Sequence, residues 1–566
     1  MFLPVTKAEL KKMNWDKLDI ILVTGDTYID SSYIGAAVIG RVLAAAGYKV
    51  GIIAQPDIYS EKDITRLGEP KLFWGVTAGS VDSMVANYTA LKKKRKNDDF
   101  TPGGKNTKRP DRATIVYCNL IKKYYKKTVP IVLGGIEVSL RRIAHYDYWD
   151  NKIRRSILVD AKADILVYGM GEKSVLALAE KINRGEDFKR VKGICYLSPH
   201  PGKGYLLLPS YQEVKQDNEK FISMFHIFYQ NNDALTAKGL SQQQDTRYLI
   251  QNLPTHPLKK KEIDKIYDLP YERDVHPYYR KDGKVKAMDT IKFSITTHRG
   301  CYGECNFCSI AVHQGRVIQG RSEKSILREA RLLTKLRDFK GYILDVGGPT
   351  ANMYGIECRK KLKSGSCFDK KCLYPQFCSS LKINHKKQME ILNKIRRIEG
   401  VKKVFVASGI RYDMLLNDQK YGDKYLRELI KYHISGQLKI APEHTENKIL
   451  QKMGKPDNSY LKLFKDKFFQ INKEQRKKQF LTYYLIAAHP GCREEDMRKL
   501  HGFVSKELKI NPEQVQIFTP TPSTYSTLMY YTEIDPFTGK AIFVEKNLKK
   551  KKKQKEIVVE KKSKIR

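Results

Sequence analysis

Three cysteines, Cys301, Cys305 and Cys308, stand on one short stretch, "THRGCYGECNFCSIAVHQGR", in the spacing Cys-x₃-Cys-x₂-Cys. A disulfide consumes cysteines in pairs and a structural zinc takes four ligands, so three thiols on one loop leave a coordination position over. A [4Fe–4S] cube held by three thiolates has one iron without a protein ligand, open to a chelating small molecule. The competing chemistry is a Cys₃His zinc site completed by His298 or His313. A candidate second site is formed by Cys358, Cys367, Cys372 and Cys378 in "CRKKLKSGSCFDKKCLYPQFC". Four thiolates suit a closed site, either an auxiliary iron–sulfur cluster or a structural zinc, and the alternative is four reduced thiols. Cys118, Cys195 and Cys492 are isolated and read as packed thiols.

The elements that must position these residues follow from the apolar pattern. "LDIILVTG", "KVGIIAQ", "VPIVLGGIE" and "ADILVYGMG" are short buried strands alternating with helical stretches such as "SSYIGAAVIGRVLAAAGY". That alternation predicts a doubly wound α/β domain over residues 1–195, interrupted by a charged, turn-rich loop, "LKKKRKNDDFTPGGKNTKRPDR". Residues 196–288 show no sustained period and read as a connecting segment that wraps the next domain. Strands are then expected at 291–297, 341–347, 402–408, 436–441, 480–487 and 514–519, with helices between them. Six such strands predict a parallel partial (β/α)₆ barrel over 289–530, carrying the cysteine-rich insertion at 356–380. Ligands in these folds gather at the C-terminal strand ends, and the three-cysteine loop follows the first strand. Residues 531–566 read as an extension whose lysine-rich end has no core face.

The chain has 566 residues and a formal net charge of +43, which suits an anionic partner such as RNA, although a lysine-rich proteome raises the charge of every protein. No known RNA-binding signature is present. The N-terminus lacks the pattern of a secretory signal, and no stretch approaches the roughly 18 apolar residues of a membrane span. The expectation is a cytoplasmic protein without membrane contact, whose ten cysteines are reduced and serve metal or catalysis.

The loop Cys-x₃-Cys-x-Phe-Cys, with Phe307 at the aromatic position, resembles the radical SAM signature. "LIQNLPTHPL", "DKIYDLPYERDVHPYY", "SGIRYD", "APEHT" and "FTPTPSTYSTLMYYTEIDPFTGK" extend the resemblance to the YgiQ family of radical SAM proteins over nearly the whole chain. The resemblance implies a [4Fe–4S] cluster on Cys301, Cys305 and Cys308 and S-adenosylmethionine (SAM) on the open iron. It implies reductive cleavage of SAM to a 5′-deoxyadenosyl radical, with a flavodoxin- or ferredoxin-type protein as reducing partner. It also suggests Phe307 against the adenine, and Gly347 and Gly348 of "YILDVGGPTAN" near the SAM amino group. Ser408 and Arg411 of "VFVASGIRYDMLL" fall where the ribose or carboxylate is held, and Glu443 of "APEHT" is a further SAM ligand. A tight turn at the glycines and an ordinary surface arginine are the plain alternatives. His313, Arg316 and Arg321 follow the cluster loop, either to hold a substrate or to pin a helix end.

The first domain resembles cobalamin-binding domains, but no Asp-x-His-x-x-Gly is present and His145 lies in the wrong context, which argues against cobalamin ligated by histidine and leaves cobalamin bound without a protein ligand as the alternative. The family resemblance supplies no substrate. The reading from another class is a non-catalytic, metal-stapled nucleic-acid-binding protein.

Overall fold

Ile20–Thr24 and Val50–Ala54 are buried at every position, as strands covered on both faces must be. The computed structural model describes residues 1–510, 512 and 515–559. They form two compact units, the first made of Met1–Pro257, Lys265–Lys292 and Val312–Gln314, and the second of the remainder.

In the first unit a nine-stranded sheet runs in the order Leu206–Leu208, Leu240–Gln244, Arg247–Gln251, Ile194–Ser198, Ile165–Val167, Ile131–Leu133, Phe73–Thr77, Ile20–Thr24, Val50–Ala54. The last five of these are mutually parallel, and the strand order reverses between Ile20–Thr24 and Phe73–Thr77. This is the doubly wound arrangement expected from the alternating pattern.

The unit does not end at residue 195. Ile194–Ser198 pairs antiparallel with Arg247–Gln251, which turns back on Leu240–Gln244, so the segment assigned to a connector completes the sheet. The hairpin escapes a sequence reading because glutamines share its buried positions with Leu240, Leu249 and Ile250 and break the alternating apolar set. Gln242 accepts from Ala144 N at 2.9 Å, Gln244 from Ser156 N at 3.0 Å and Gln251 from the Arg142 guanidinium at 2.9 Å. Residues 265–292 also belong to this unit rather than wrapping the next one. Asp274–Val275 pairs with Ile29–Asp30, and the Tyr279 hydroxyl accepts from Ala54 N at 2.9 Å.

The second unit is the partial barrel. Ser294–Thr296 lies parallel to Asp345–Gly347, and Tyr342–Ile343 lies parallel to Lys403–Val404. Ile410 bridges Ile440 in parallel, and Gln437–Glu443, Phe480–Ala487 and Val515–Ile517 continue the series. Position 514 of the last expected strand lies outside the described residues. Ile295, Val346, Val404, Ile440, Leu485 and Val515, one from each strand, meet in a single core against helices such as Glu323–Thr334 and Ser459–Glu474.

The C-terminal lysine run is not free of the core. Leu548–Val559 is a helix that buries Lys551, Gln554 and Val558. Lys551 donates to the Tyr530 hydroxyl at 2.7 Å, and Gln554 accepts from Ala488 N at 3.0 Å. Five consecutive lysines conceal this face because a buried lysine looks like its exposed neighbours in sequence. Residues 560–566 of the tail lie outside the described residues. Truncation after Asn547 removes the buried Val558, uncovers the core it packs on and strips Ala488 N of its acceptor, so it lowers stability by about 2–4 kcal/mol. A urea titration reads this as an earlier midpoint, and an unchanged midpoint refutes the docking. Among the described residues no helix is long and apolar enough to cross a membrane.

Candidate functional site

The three-cysteine loop leaves the first barrel strand, and its base is closed by His298–Arg299 pairing antiparallel with Gln319–Gly320. Cys301, Cys305 and Cys308 are half-buried and unbridged. Gly303 N donates to Cys301 Sγ at 3.3 Å, and Cys308 N to Cys305 O at 3.0 Å. A Cβ on Gly303 would stand 3.3 Å from Cys301 Sγ, 3.6 Å from Cys305 Sγ and 3.0 Å from Arg411 Nη1. Two of the thiols therefore converge on space that a side chain would fill. Burial pushes the Cys301 and Cys308 thiols up, Cys308 to about 12, and the neighbouring Cys305 pushes both further. Thiols that resist ionisation together lose their protons when a cation binds them.

Polar residues from the following strand ends stand close by. Arg411 Nη1 lies 3.6 Å from Cys305 Sγ, while its Nε donates to Asp413 Oδ1 at 2.8 Å and Nη2 forms an ion pair with the same carboxylate. Burial alone would lower the Arg411 pKa, and Asp413 outweighs it. Its backbone is fixed by Asn352, whose Oδ1 accepts from Arg411 N at 2.8 Å. Asn352 meets His385, which in turn holds Asp418 at 2.8 Å. Glu443 ends its strand with φ 69°, and Lys455 Nζ lies 3.6 Å from its carboxylate. Burial raises the Glu443 pKa, opposed by Lys455 and Arg411, and its charge reaches Cys308. Phe307 packs on the barrel core with its ring edge-on to His489 at 6.5 Å, and His489 is pinned by the Ser526 hydroxyl at 2.7 Å.

Other expected residues are already engaged. The Gly347 carbonyl accepts from Thr297 N at 2.7 Å and Thr297 Oγ1 at 3.0 Å, so both its lone pairs are used and it is not free for a ligand amine. Gly348 lies against His298, with no room for a Cβ. The Ser408 hydroxyl donates to Asp345, which also accepts from Ala407 N at 2.8 Å and Ser408 N at 3.0 Å. Arg321 is fully buried on Glu329 and donates to Thr296 O at 2.8 Å, so it pins its helix. His313 belongs to the first unit, where Nδ1 meets Ser139 Oγ at 3.1 Å.

The floor of the loop is built by the cysteine-rich insertion. Glu304 is buried with φ 46°, its carboxylate 2.7 Å from Lys361 Nζ and 3.3 Å from Arg316 Nε. Burial would raise its pKa, but the two cations hold it below the usual carboxylate range. Lys371 Nζ donates to Glu304 O at 2.7 Å and to Asn306 Oδ1. Burial lowers the Lys371 ammonium to about 8, while Glu304 and Cys305 act to raise it. Asp345, Asp413, Asn352 and Lys371 were not singled out from the sequence. The only local signal was Asp413, two residues after Arg411 in "RYD".

The four cysteines of the insertion are not drawn into one closed site. Cys358 and Cys372 are buried among Tyr302, Ile356, Leu373 and Leu381, and Cys358 Sγ accepts from Lys361 N at the start of a helix. Cys367 and Cys378 are half-buried. Among the described residues, no three Cys, His, Asp or Glu side chains stand close enough together to hold a metal ion, in the first set or the second. Cys118, Cys195 and Cys492 are fully buried, as packed thiols are.

In the first unit, the crevice where the strand order reverses is filled by the chain itself. Arg109, from the charged loop, donates to Asp26 Oδ1 at 2.8 Å and Asp98 Oδ2 at 3.0 Å, with both guanidinium and carboxylates buried. A Cβ on Gly79 would stand 2.8 Å from Arg109 Nη1, and one on Gly25 3.0 Å from it. Glu137 occupies the N-terminus of helix Ala113–Tyr124, accepting from Thr114 N at 3.4 Å and Ser83 N at 2.7 Å. His145 is buried, with Nδ1 on Ile143 O at 3.0 Å, and burial lowers its pKa to about 4.

A family model described as Radical SAM N-terminal matches residues 2–294, a span that ends close to the edge of the first unit. A UPF0313 protein of Fusobacterium nucleatum is 61% identical over 561 residues, covering 99% of each chain. One from Thermotoga petrophila is 52% identical over 565 residues, again covering 99% of each. Among solved structures, the radical SAM methyltransferase TsrM of Kitasatospora setae, with cobalamin and a [4Fe-4S] cluster bound, aligns with TM-score 0.52 at 13% identity, over 91% of this chain and 78% of that one. OxsB, a cobalamin-dependent SAM radical enzyme with aqua-cobalamin bound, aligns with TM-score 0.50 at 12% identity, over 94% and 57%. At these identities the likeness is one of fold. The relatives, the family model and the three-cysteine loop agree: this chain belongs to the UPF0313 family, which is the YgiQ family of radical SAM proteins, and it is a radical SAM enzyme.

Proposed function

We propose that Cys301, Cys305 and Cys308 hold a [4Fe–4S] cluster and that the strand ends beside them hold SAM. When bound, this pair supplies reductive cleavage of a carbon–sulfur bond of SAM to a 5′-deoxyadenosyl radical. The observation that carries the reading is the convergence of Cys301 and Cys305 on the side of Gly303 that a Cβ would occupy, with Arg411 and Glu443 alongside. Arg411, fixed by Asp413, presents a cation to the thiolates and to a ligand carboxylate. Glu443 presents a buried carboxylate to a ligand amine or sulfonium, and Phe307 offers an apolar face to the adenine. Ser408, oriented by Asp345, keeps an oxygen lone pair for a ribose hydroxyl. Gly348 shapes the strand end, while Gly347 spends its carbonyl on Thr297.

The electron donor in this reading is a flavodoxin- or ferredoxin-type protein, in the cytoplasm, and the basic surface favours RNA or a ribosomal component as substrate. The first unit works without cobalamin. Its crevice is filled by Arg109, Asp26 and Asp98, and the N-terminus of helix Ala113–Tyr124 by Glu137. No step of the reaction runs through that group. Anaerobic reconstitution with iron and sulfide, reduction with dithionite and chromatography of the SAM products test the reading. The expected product is 5′-deoxyadenosine; bound zinc without iron and no product refutes the enzyme reading.

A further inference from the structure

The cysteine-rich insertion meets the cluster loop through one side chain. Lys371 donates to Glu304 O and to Asn306 Oδ1, the residues on either side of Cys305. Asn306 is itself held on helix Asn447–Met453, with Nδ2 on Lys452 O at 2.8 Å and N on Met453 O at 2.8 Å. The Glu304 carboxylate is taken by Lys361 and Arg316, and among the described residues no carboxylate lies within ion-pair distance of Lys371. A half-buried ammonium bonded only to neutral oxygens is a positive charge in search of an anion. Beside it stands Cys305, whose thiolate is the nearest anion that the proposed cluster would bring.

We infer that Lys371 is a positioning residue through which the insertion fixes the loop around Cys305 and raises the reduction potential of the cluster bound there. The inference rests on the cluster reading above. A reduced cluster carries one more negative charge than the oxidised one, so a fixed cation nearby stabilises the reduced state. The charge acts through Cys305 rather than on SAM, and the helix on Asn306 keeps the loop from drifting away from it. The insertion then has a use that does not require its four cysteines to bind metal.

The test is an EPR-monitored redox titration at pH 7 of reconstituted wild type, Lys371→Gln and Lys371→Arg, with iron content measured on each. Lys371→Gln keeps a donor for Glu304 O but loses the charge, so its midpoint is expected to shift to more negative potential. Lys371→Arg is expected to stay near wild type. Loss of iron from the Gln variant alone also supports the charge requirement. Equal midpoints in all three proteins, or loss of iron from both variants alike, overturn the inference. A wild type that takes up no cluster refutes the functional reading instead.

Discussion

Cys301→Ala, Cys305→Ala and Cys308→Ala each bring 5′-deoxyadenosine formation down to the level without enzyme, and each loses the iron-dependent visible absorbance. With three thiolates there is no spare protein ligand, so one missing sulfur leaves two irons open instead of one. Cys358 and Cys372 are buried among Tyr302, Leu373 and Leu381, so drawing either into the loop means unpacking that core. His298 is fully buried against Gly348 with Nδ1 on Thr297 Oγ1 at 2.8 Å, and its unpartnered Nε2 could replace the sulfur only by leaving that packing. Cys195→Ala, in the first unit, removes a packed thiol and is expected to retain both signals. Iron analysis and product chromatography on the four variants decide the matter. Wild-type product from any of the three loop variants would sink the cluster assignment.

Arg109→Met destabilises the protein by about 3–5 kcal/mol, the range found when one partner of a buried ion pair is removed. The loss is large because the guanidinium serves Asp26, Asp98 and the Ala78 carbonyl at once, all out of reach of water. Methionine fills much of the volume but leaves two buried carboxylates without their cation. Asp98→Asn is expected to cost less, since the amide oxygen still accepts from Arg109 and Asp26 still neutralises it. Urea unfolding followed by tryptophan fluorescence measures both, and Trp74, one of three tryptophans, lies in the neighbouring strand. A shift of the Arg109→Met midpoint no larger than that of Asp98→Asn contradicts the account of the filled crevice.

Parts of the molecule were legible in the sequence because their cause is local. Ligand spacing within a short loop is limited by the reach of the backbone, so the spacing of Cys301, Cys305 and Cys308 carries the family signature wherever the loop sits. Runs such as "IILVT" declare buried parallel strands because only a doubly covered sheet hides every position. The six barrel strands fell close to their expected places for the same reason.

Legible from the residues alone, then, were the three-cysteine family signature, the doubly wound and barrel architectures, and the order of the barrel strands. Which polar groups are spent shows only in the folded chain. Gly347 gives its carbonyl to Thr297, Asp345 takes Ser408, Asp413 holds Arg411, and Arg109 closes a crevice that the fold leaves open. It alone added the glutamine hairpin to the first sheet, docked the lysine helix, and set Lys371 beside Cys305. The physical reason is common to all of these. Burial of apolar residues repeats with the period of its element and shows in the sequence, whereas a buried polar side chain is satisfied by a partner far along the chain, and no period marks where that partner will be.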